Sequence, residues 1–474
     1  MNSLTIAWIA FPFFVGFVGY MFSLGRYLAL GVAIASTGYA LLLFAEPPLT
    51  LQLLDSFGIA LLLDPLSGFF ILTNALVTAA VIFYGWQSDK TAFFYMQIII
   101  LHGSVNAAFA CVDFISLYVA LEVISIAAFL LIAYPRSDRS IWIGLRYLFV
   151  SNVAMLFYLV GAVLVYQASH SFAFTGLRQA PPEALALIFL GLLVKGGIFI
   201  SGLWLPLTHS ESETSVSALL SGVVVKTGVL PLIRCALLVE ELDPLIRLFG
   251  VGASLLGMSY AIFEKDTKRL LAFSTISQLG FILAAPVVGG FYALTHGLVK
   301  TALFLIAGVL PSRSFKELHQ KPIPTAIWVV LVMASFSISG FPLLSGFGAK
   351  VLTTRNLLPW QTISMNIAAL GTAISFAKFI FLPHQRDKAN VEPGFWAAVI
   401  LLIGGLAVAN VVYYEAYTVA NIVKPLVIIA LGWLAYLLVF RQTAVKLPRL
   451  LEQFDHLIGV MSLMLVLLFW MVMT

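Results

Sequence analysis

Charged residues are scarce in this sequence. They make up 10% of its 474 residues, whereas 61% of the residues are hydrophobic. Soluble globular domains carry about one charged residue in four. The composition therefore excludes a soluble globular protein and predicts an integral membrane protein.

Long polar stretches are missing as well. The longest weakly hydrophobic stretches, residues 46–65 and 167–182, are too short to bury a core of their own. We therefore expect residues 1–474 to form a single membrane domain with no separate soluble domain. The first apolar run has neither the basic start nor the cleavage site of a signal peptide, so it is expected to remain as a helix.

Cysteine is almost absent, and so are the usual cofactor motifs. Cys111 and Cys235 lie in or beside apolar runs and cannot form a disulfide framework or a metal site. The stretch "GVGASLLG" at 250–257 lies inside an apolar run without a preceding strand, so close helix packing explains its glycines better than a dinucleotide site. We expect no metal and no redox cofactor. The net charge of +5 is spread over short loops and gives no indication of nucleic-acid binding.

Apolar runs long enough to cross about 30 Å of hydrocarbon recur from end to end. They contain Gly and Pro and do not alternate with polar residues, which favours helices over the strands of a membrane barrel. The sequence therefore predicts an all-α polytopic membrane protein with about 14 to 16 transmembrane helices.

Basic residues recur in alternate loops between these runs. By the positive-inside rule such loops face the cytoplasm or its equivalent, which places both chain ends on the opposite side. The acidic stretch "HSESE" at 209–213 is an exception, because it falls on the otherwise basic side. The basic loop residues are Arg26, Lys90, Arg136, Arg139, Lys265, Lys268, Arg269, Arg313, Lys316, Arg386, Lys388, Arg441, Lys446 and Arg449.

Two predicted helices are interrupted. "LVKGG" at 193–197 and "SFSISGFPLLSGFGAK" at 335–350 place glycine and proline inside stretches that are otherwise membrane-like. Broken helices at matching positions of two halves are typical of transporters with inverted repeats, because unwound backbone is tolerated only where protein or water satisfies it. We predict inverted five-helix repeats at about 92–238 and 245–382, with helices 7 and 12 broken, followed by additional helices in 383–474.

Ionisable residues occur in the middle of predicted helices. Glu122, Lys195, Lys226 and Lys300 have such positions, and Lys350 follows the second interruption. Each would cost about 2.5 to 3.5 kcal/mol if it faced lipid, so each is expected to face the protein interior, a partner or water. Static ion pairing is the simplest alternative, but a single glutamate cannot neutralise several lysines.

The interior basic residues are all lysines. Burial disfavours a charged amine and a nearby carboxylate favours it, so a buried lysine can take up and release a proton near neutral pH. Arginine cannot, because its guanidinium stays charged. The sequence therefore favours proton transfer over fixed counter-ions, and Glu122 and Lys195 are the strongest candidates.

Three further residues have weaker assignments. His296 precedes Lys300 by one helical turn and is either a proton relay or a hydrogen-bonded packing residue. Arg146 either snorkels or supports Glu122 electrostatically. Lys378, close to a helix end, is expected to snorkel.

Several motifs, in order, resemble one superfamily. They are "WLPL" followed by "HSESETSVSALLSGVVVKTGVLPLIR", then "KDTKRLLAFSTISQLGFIL", "LTHGLVKTALFLIAG" and "SGFPLLSGFGAK". Together they resemble the antiporter-like membrane subunits shared by respiratory complex I and the multisubunit Mrp cation/proton antiporters. The similarity extends from about residue 60 to residue 382.

The resemblance implies specific roles. Glu122 and Lys195 would form a proton-handling pair, and Lys226 would link this pair to Lys350 on the broken twelfth helix. His296 and Lys300 would correspond to the histidine and lysine of the tenth and eleventh helices in that family.

The sequence also departs from the family pattern. Leu207 replaces the acid of the usual W-L-P-D-A motif, and the loop at 210–215 lacks the proline-rich turn, which puts its contacts with neighbouring subunits in doubt. Arg146 stands where many relatives carry a lysine, which indicates a fixed positive charge. The C-terminal stretches resemble the Mrp D-type subunit more than a complex I subunit.

We therefore predict a proton-translocating subunit of a larger membrane complex, an Mrp-type Na⁺/H⁺ antiporter, in a bacterial inner membrane or its equivalent. Its partners would be other membrane subunits, protons, Na⁺ and the lipid bilayer, with no nucleic acid. The alternatives are a proton-pumping subunit of a complex I-like quinone oxidoreductase, in which case the chain is part of a translocase, a non-transporting scaffold subunit, and a self-contained transporter of an organic solute.

Overall fold

The computed structural model describes residues 2–22, 24–55, 57–443, 445 and 447–473. Among these residues, thirteen helices are long and apolar enough to cross a membrane, or up to fourteen if the bent pair Pro182–Gly196 and Phe199–Glu211 forms one span. In the described part of the chain, β-structure is limited to short strands. The prediction of an all-α polytopic membrane protein is confirmed. Lys446, one of the basic loop residues, lies outside the described residues.

Six helices precede the first interruption. An antiparallel hairpin of β1 (Leu49–Leu54) and β2 (Gly58–Leu63) joins the second helix to the third and pairs Leu49 with Leu63. The helices are α1 (Asn2–Met21), α2 (Gly25–Ala45), α3 (Pro65–Tyr84), α4 (Ala92–Ala110), α5 (Phe114–Ile132) and α6 (Asp138–Ser169).

The first broken helix begins as α7 (Pro182–Gly196). It ends at Gly197, whose φ of 66° lies in the left-handed region that glycine adopts without steric penalty. The chain bends by 42° here before α8 (Leu205–Glu211). A continuous apolar span follows, in which α9 (Thr214–Leu219), a π-helical turn (Leu220–Val224) and α10 (Lys226–Leu238) succeed one another.

The second half contains the other broken helix. Here α15 ends at Gly340, with a φ of 84°, before the chain resumes as α16. Both predicted interruptions are therefore present, whereas the inverted repeats at 92–238 and 245–382 stay a prediction. The helices are α11 (Asp243–Phe263), α12 (Thr267–Ala284), α13 (Gly289–Ala307), α14 (Phe315–Leu318), α15 (Thr325–Ser339), α16 (Ser345–Arg355) and α17 (Thr362–Ile380).

The C-terminal part adds three more helices, α18 (Pro393–Val412), α19 (Val419–Ala435) and α20 (Phe454–Met473). Two short strands pair in parallel, namely β3 (Ile323–Pro324), which precedes α15, and β4 (His384–Gln385), which precedes α18. In space, α18 packs against α3 and α13, α19 packs against α17, and α20 packs against α7. The additional helices therefore pack against helices of both halves that contain the interruptions.

Glycines allow some helices to approach within backbone contact. A Cβ atom on Gly250 of α11 would lie 2.8 Å from the Ala284 nitrogen and 2.9 Å from the Gly280 carbonyl oxygen of α12. The glycines of "GVGASLLG" thus serve close helix packing, as the sequence predicted, because only a residue without a side chain fits at this distance.

The same kind of contact joins α7 to α10, and it predicts a stability effect. A Cβ atom on Gly228 would lie 2.6 Å from the Leu192 carbonyl oxygen and 2.8 Å from the Gly196 Cα. These are backbone atoms, so Gly228→Ala should force the two helices apart and destabilise the protein by about 1 to 3 kcal/mol. The measurement is the melting temperature of the purified protein in detergent.

Gly404→Ala is the matched control, because Gly404 lies inside α18 and a Cβ atom there would meet nothing within 4 Å. We expect this change to be neutral or slightly stabilising, since alanine is the better helix former. Equal melting temperatures for the two variants would show that α7 and α10 are not held by this contact.

The acidic stretch at 209–213 is explained by its ion pairs. Glu213 binds Lys90 at 2.6 Å, and Glu211 binds Arg139 at 2.8 Å and Arg313 at 3.4 Å. The cations come from three of the basic loops predicted on this side. The stretch breaks the loop-charge pattern because its carboxylates neutralise neighbouring loop cations.

A buried ion cluster ties the C-terminal segment to the core. Arg269 binds Glu264 at 3.1 Å and Glu452 at 2.8 Å, and the side chains of all three are at most 8% exposed. Burial opposes ionisation of the Glu264 carboxyl, but Arg269, the Lys265 backbone N–H and Arg449 together hold its pKa below the ordinary value.

Lys378 does not snorkel to the membrane surface, so this expectation from the sequence was wrong. Its side chain is 8% exposed, and its Nζ donates to the carbonyl oxygens of Ala261 (3.2 Å), Ile262 (2.6 Å) and Glu264 (2.7 Å). These carbonyls are at the C-terminus of α11, where an α-helix leaves its last acceptors without backbone partners. Lys378 therefore caps a helix, and its position near the end of α17 in the sequence concealed this contact.

Candidate functional site

Lysines are buried in the middle of the protein without carboxylate partners. The exposed fractions are 3% for Lys195, 0% for Lys226 and Lys300, and 9% for Lys350. In the described residues, none of the four forms an ion pair, and their hydrogen bonds go to carbonyl and hydroxyl oxygens. A permanently charged ammonium is costly in such a place. These positions therefore suit amines that gain and lose a proton.

Lys195 reaches from the end of α7 to two neighbouring helices. Its Nζ donates to the Leu121 carbonyl oxygen on α5 at 3.0 Å and to Ser151 Oγ on α6 at 2.8 Å. It also donates to Ser125 Oγ, which lies 3.0 Å from Ser151 Oγ. Three neutral oxygens thus surround the amine, just before the chain breaks at Gly197.

Glu122 lies beside this group on α5. One of its carboxylate oxygens, Oε1, is buried and has no hydrogen-bond partner in the described part of the protein. Glu122 and Lys195 interact electrostatically, although the described contacts do not include an ion pair between them. The structure therefore brings the two residues of the predicted pair within electrostatic range of each other.

Lys226 follows the π-helical turn at Leu220–Val224. In this turn the Val225 N–H donates to the Leu220 carbonyl oxygen at 3.2 Å. In an α-helix it would instead donate to the Ser221 carbonyl oxygen, which the π-helical turn leaves without this bond. The Lys226 ammonium donates to the Ser221 carbonyl at 3.4 Å and to the Gly222 carbonyl. The irregular turn thus supplies the acceptors for the lysine that follows it.

Lys300 and His296 share one face of α13. Lys300 Nζ donates to the Leu271 carbonyl oxygen at 2.8 Å and to Ser274 Oγ, both on α12. Neither ring nitrogen of His296 has a partner among the described residues. This histidine lines a small cavity of about 10 Å³ together with Gln278. The volume is near the minimum for one water molecule, and the unpartnered His296 nitrogens are suitable hydrogen-bond partners for it.

Lys350 lies in α16, just beyond the second interruption. Its Nζ donates to the Ser339 carbonyl oxygen at 3.1 Å and lies 5.3 Å from the centre of the Phe281 ring. The side chain lines a cavity of about 100 Å³ that extends to Lys424 on α19. Ser339 Oγ and Thr353 Oγ1, which also belong to lining residues, are buried and have no partner in the described part of the chain.

Sequence comparison connects this arrangement to known proteins. Residues 111–375 match the family described as NADH:quinone oxidoreductase/Mrp antiporter, transmembrane. The matched region covers more than half of the chain and contains all five of the mid-helix residues predicted to handle protons. The chain belongs to this family. The resemblance indicated by the sequence motifs is therefore confirmed, and the protein is an integral, multi-pass membrane protein.

Two relatives and one solved structure illustrate the range of the family. The D-type subunit of the Na⁺/H⁺ antiporter of Alkalihalophilus pseudofirmus is 24% identical over 90% of this chain and 99% of its own length. The N-type subunit of the NADH-quinone oxidoreductase of Desulforudis audaxviator is 30% identical over 71% of this chain and 76% of its own. A chain of the Mrp complex from Dietzia sp. DQ12-45-1b shares the fold, with a TM-score of 0.77 and 23% identity over 93% of this chain and 56% of that chain.

Arg146 occupies a different environment from the lysines of this antiporter-family chain. It donates through Nη2 to the Glu452 carbonyl oxygen, and its guanidinium lies 6.0 Å from the centre of the Trp142 ring. Its side chain is buried, so snorkelling does not describe it. In the described residues it has no hydrogen bond or ion pair with Glu122, and electrostatic support of Glu122 stays a prediction.

His209 is a buried group that sequence reasoning missed. It is 0% exposed, and both ring nitrogens lack partners among the described residues. Its ring lies 5.9 Å from that of Trp204 and 6.2 Å from that of Phe304. The sequence pattern places it in the acidic loop, although the apolar "WLPL" shortly before it is a signal for a buried position.

His102 is the second histidine that sequence reasoning missed. Its ring is fully hydrogen-bonded, with Ser36 Oγ at 2.8 Å, Thr78 Oγ1 at 3.0 Å and Asn106 Nδ2 at 3.1 Å. These partners join α2, α3 and α4. A satisfied polar network of this kind fixes the packing of helices, and the polar pair His102 and Asn106 within one apolar run was the signal for it.

Proposed function

We propose that this protein is the proton-translocating subunit of a multisubunit membrane complex that exchanges Na⁺ for protons. Family membership and the relationship to the D-type subunit of an Na⁺/H⁺ antiporter support this function. The similarity to a chain of an Mrp complex supports other membrane subunits as partners. Protons, Na⁺ and the surrounding lipid are the other species with which the chain interacts.

The observation that carries the proposal is the series of buried lysines with neutral hydrogen-bond acceptors. A scaffold protein gains nothing from uncompensated ammonium groups at this depth, because each of them costs free energy. A role in taking up and releasing protons explains why lysines occupy these positions despite the cost in free energy. The cavity beside His296 has room for about one water molecule and the cavity beside Lys350 for several, and both include polar side chains in their lining that would bind this water.

Electrostatics would drive the transfer. A shorter distance between Glu122 and Lys195 stabilises the charged ammonium, and a longer distance favours release of its proton. The helices that carry these lysines contact one another in turn. Helix α7 packs against α10, and the π-helical turn before Lys226 packs against α13. Helix α13 in turn packs against α16, which carries Lys350. His296 and Lys300 on α13 lie between Lys226 and Lys350 along this route.

A second function is supported by a specific observation, the 30% identity to an NADH-quinone oxidoreductase subunit. In that case the same lysines would pump protons, but the energy would come from a redox reaction in partner subunits. The proposed residue roles are the same under both functions. The two functions differ in the driving force.

The test uses everted membrane vesicles that contain the whole complex. Addition of Na⁺ without a respiratory substrate should dissipate an imposed pH gradient, as measured with a fluorescent amine. Proton movement that requires NADH or another reductant and does not respond to Na⁺ would instead identify a redox pump.

Glu122→Gln and Lys195→Ala should each reduce this transport strongly, on the order of 10²-fold for the loss of a proton-transferring group. Lys316→Ala, which removes an exposed loop lysine, is the matched control and should leave transport unchanged. Normal transport in all three variants would show that the chain is a scaffold and would refute the proposal.

A further inference from the structure

A pair of hydroxyl groups joins the helices next to Lys226 and Lys300. Ser221 Oγ lies 2.7 Å from Thr275 Oγ1, and both side chains are 0% exposed. The carbonyl of Ser221 accepts a hydrogen bond from Lys226. Thr275 lies one helical turn after Leu271, whose carbonyl accepts a hydrogen bond from Lys300. The hydroxyl pair is therefore connected to each lysine through one backbone carbonyl.

The Leu271 carbonyl has more donors than lone pairs. Lys300 Nζ donates to it at 2.8 Å and Thr275 Oγ1 donates at 2.9 Å. The regular pairing of α12 adds the Thr275 backbone N–H. A carbonyl oxygen has two lone pairs, and the helix N–H occupies one of them. The Thr275 hydroxyl and the Lys300 ammonium consequently compete for the other.

We infer that Ser221 and Thr275 are positioning residues that couple the protonation of Lys300 to the π-helical turn that holds Lys226. When Lys300 is charged, its ammonium occupies the Leu271 carbonyl and the Thr275 hydroxyl donates to Ser221. The Ser221 hydrogen then turns to a carbonyl of its own helix. When Lys300 is neutral, its amine is a weaker donor than its ammonium, so Thr275 donates to Leu271 and Ser221 donates to Thr275.

This coupling deepens the proposed function and rests on it. Both hydroxyls change donor direction with the charge of Lys300, so the pair transmits that charge from α12 to the turn. The structure of the turn that supplies the acceptors of Lys226 thereby depends on whether Lys300 carries its proton. Neither hydroxyl needs to carry the transferred proton itself, so the two residues act through the lysines.

Other titratable groups also lie near Lys300, and substitutions at Ser221 and Thr275 remove none of them. Lys226 on α10, His209 at the end of α8 and His296 on α13 face it. The other charged groups on α12 and on the helices packed nearby have their own partners, and in the described residues none of them donates a hydrogen bond to the Leu271 carbonyl. They are Lys268 with the Ser212 carbonyl, Arg269 with Glu264 and Glu452, Lys350 with the Ser339 carbonyl, and Lys378 with carbonyls of α11.

The experiment measures the pH profile of Na⁺-driven proton transport by the whole complex in everted vesicles. Thr275→Val removes the competitor for the Leu271 carbonyl, so the limb where transport falls with rising pH should move to higher pH. Ser221→Ala removes the alternative acceptor of Thr275, so the same limb should move to lower pH. Each shift should be about 0.5 to 1 pH unit, which corresponds to one hydrogen bond. Thr275→Ser should restore the wild-type profile.

Shifts in opposite directions would support the coupling, because a loss of packing alone does not change sign between the two positions. Unmoved profiles, shifts in the same direction, or a failure of Thr275→Ser to restore the profile would overturn it. The amount of assembled complex is measured for each variant. The proposed function fails by a different result, namely unaltered transport after Lys226→Ala.

Discussion

Replacing Lys226 with arginine is expected to abolish proton transport while leaving the complex assembled. Arginine preserves a positive charge and can still donate to the carbonyls of the π-helical turn, but its guanidinium does not release a proton near neutral pH. If Lys226 must gain and lose a proton, the rate should fall on the order of 10²-fold or more. The measurement is Na⁺-driven proton release in everted vesicles with matched amounts of complex.

Two comparisons make this result specific. Lys226→Ala, which removes both the charge and the proton carrier, should lose transport to a similar extent. Lys316→Ala controls for the loss of a lysine outside the membrane interior, because Lys316 is exposed in α14, and it should transport at the wild-type rate. Transport at the wild-type rate in Lys226→Arg would mean that the lysine serves as a fixed counter-ion, and the proton-transfer role would have to be abandoned.

Removing Arg269 should give the largest loss of stability. Arg269→Ala would leave the carboxylates of Glu264 and Glu452, 7% and 8% exposed, without their shared cation. Breaking a buried ion pair by deleting one partner costs about 3 to 5 kcal/mol. Because Glu452 precedes α20, we also expect the C-terminal segment to detach first. Melting temperature and protease cleavage between α19 and α20 measure the two effects.

Arg449→Ala provides the control for this prediction. Arg449 also binds Glu264, at 3.3 Å, but its side chain is 61% exposed. Exposed ion pairs contribute about 0 to 1 kcal/mol, so its loss should be small. If both variants lose the same stability, burial of the Arg269 cluster does not determine the docking of the C-terminal segment.

Much of the fold could be predicted from the sequence because the membrane imposes simple rules. Apolar runs of sufficient length indicated the helices, and loop cations indicated their alternation. The breaks at Gly197 and Gly340 were predicted because glycine and proline interrupt stretches that are otherwise membrane-like. These features depend on local composition, so no knowledge of partners in space was needed.

The partners of the charged groups could not be predicted in the same way. Arg269 and Glu452 are 183 residues apart in sequence, and Lys195 and Leu121 are 74 apart. Lys378 was expected to reach the membrane surface, yet it caps the end of α11, because the helix that supplies its acceptors is distant in the chain. His209 was assigned to a loop for the same reason, since the Phe304 ring that helps to bury it comes from another segment.

The sequence by itself determined that this protein spans a membrane many times and that lysines occur in the middle of its predicted helices. Those facts follow from residue type and position along the chain, because hydrocarbon selects for apolar length and penalises every charge. Only the tertiary structure decided which oxygens surround each lysine, that Glu122 lies near Lys195 without binding it, and that Lys300 shares an acceptor with Thr275. Such relationships require helices from distant parts of the chain to pack together, and no local pattern specifies that packing.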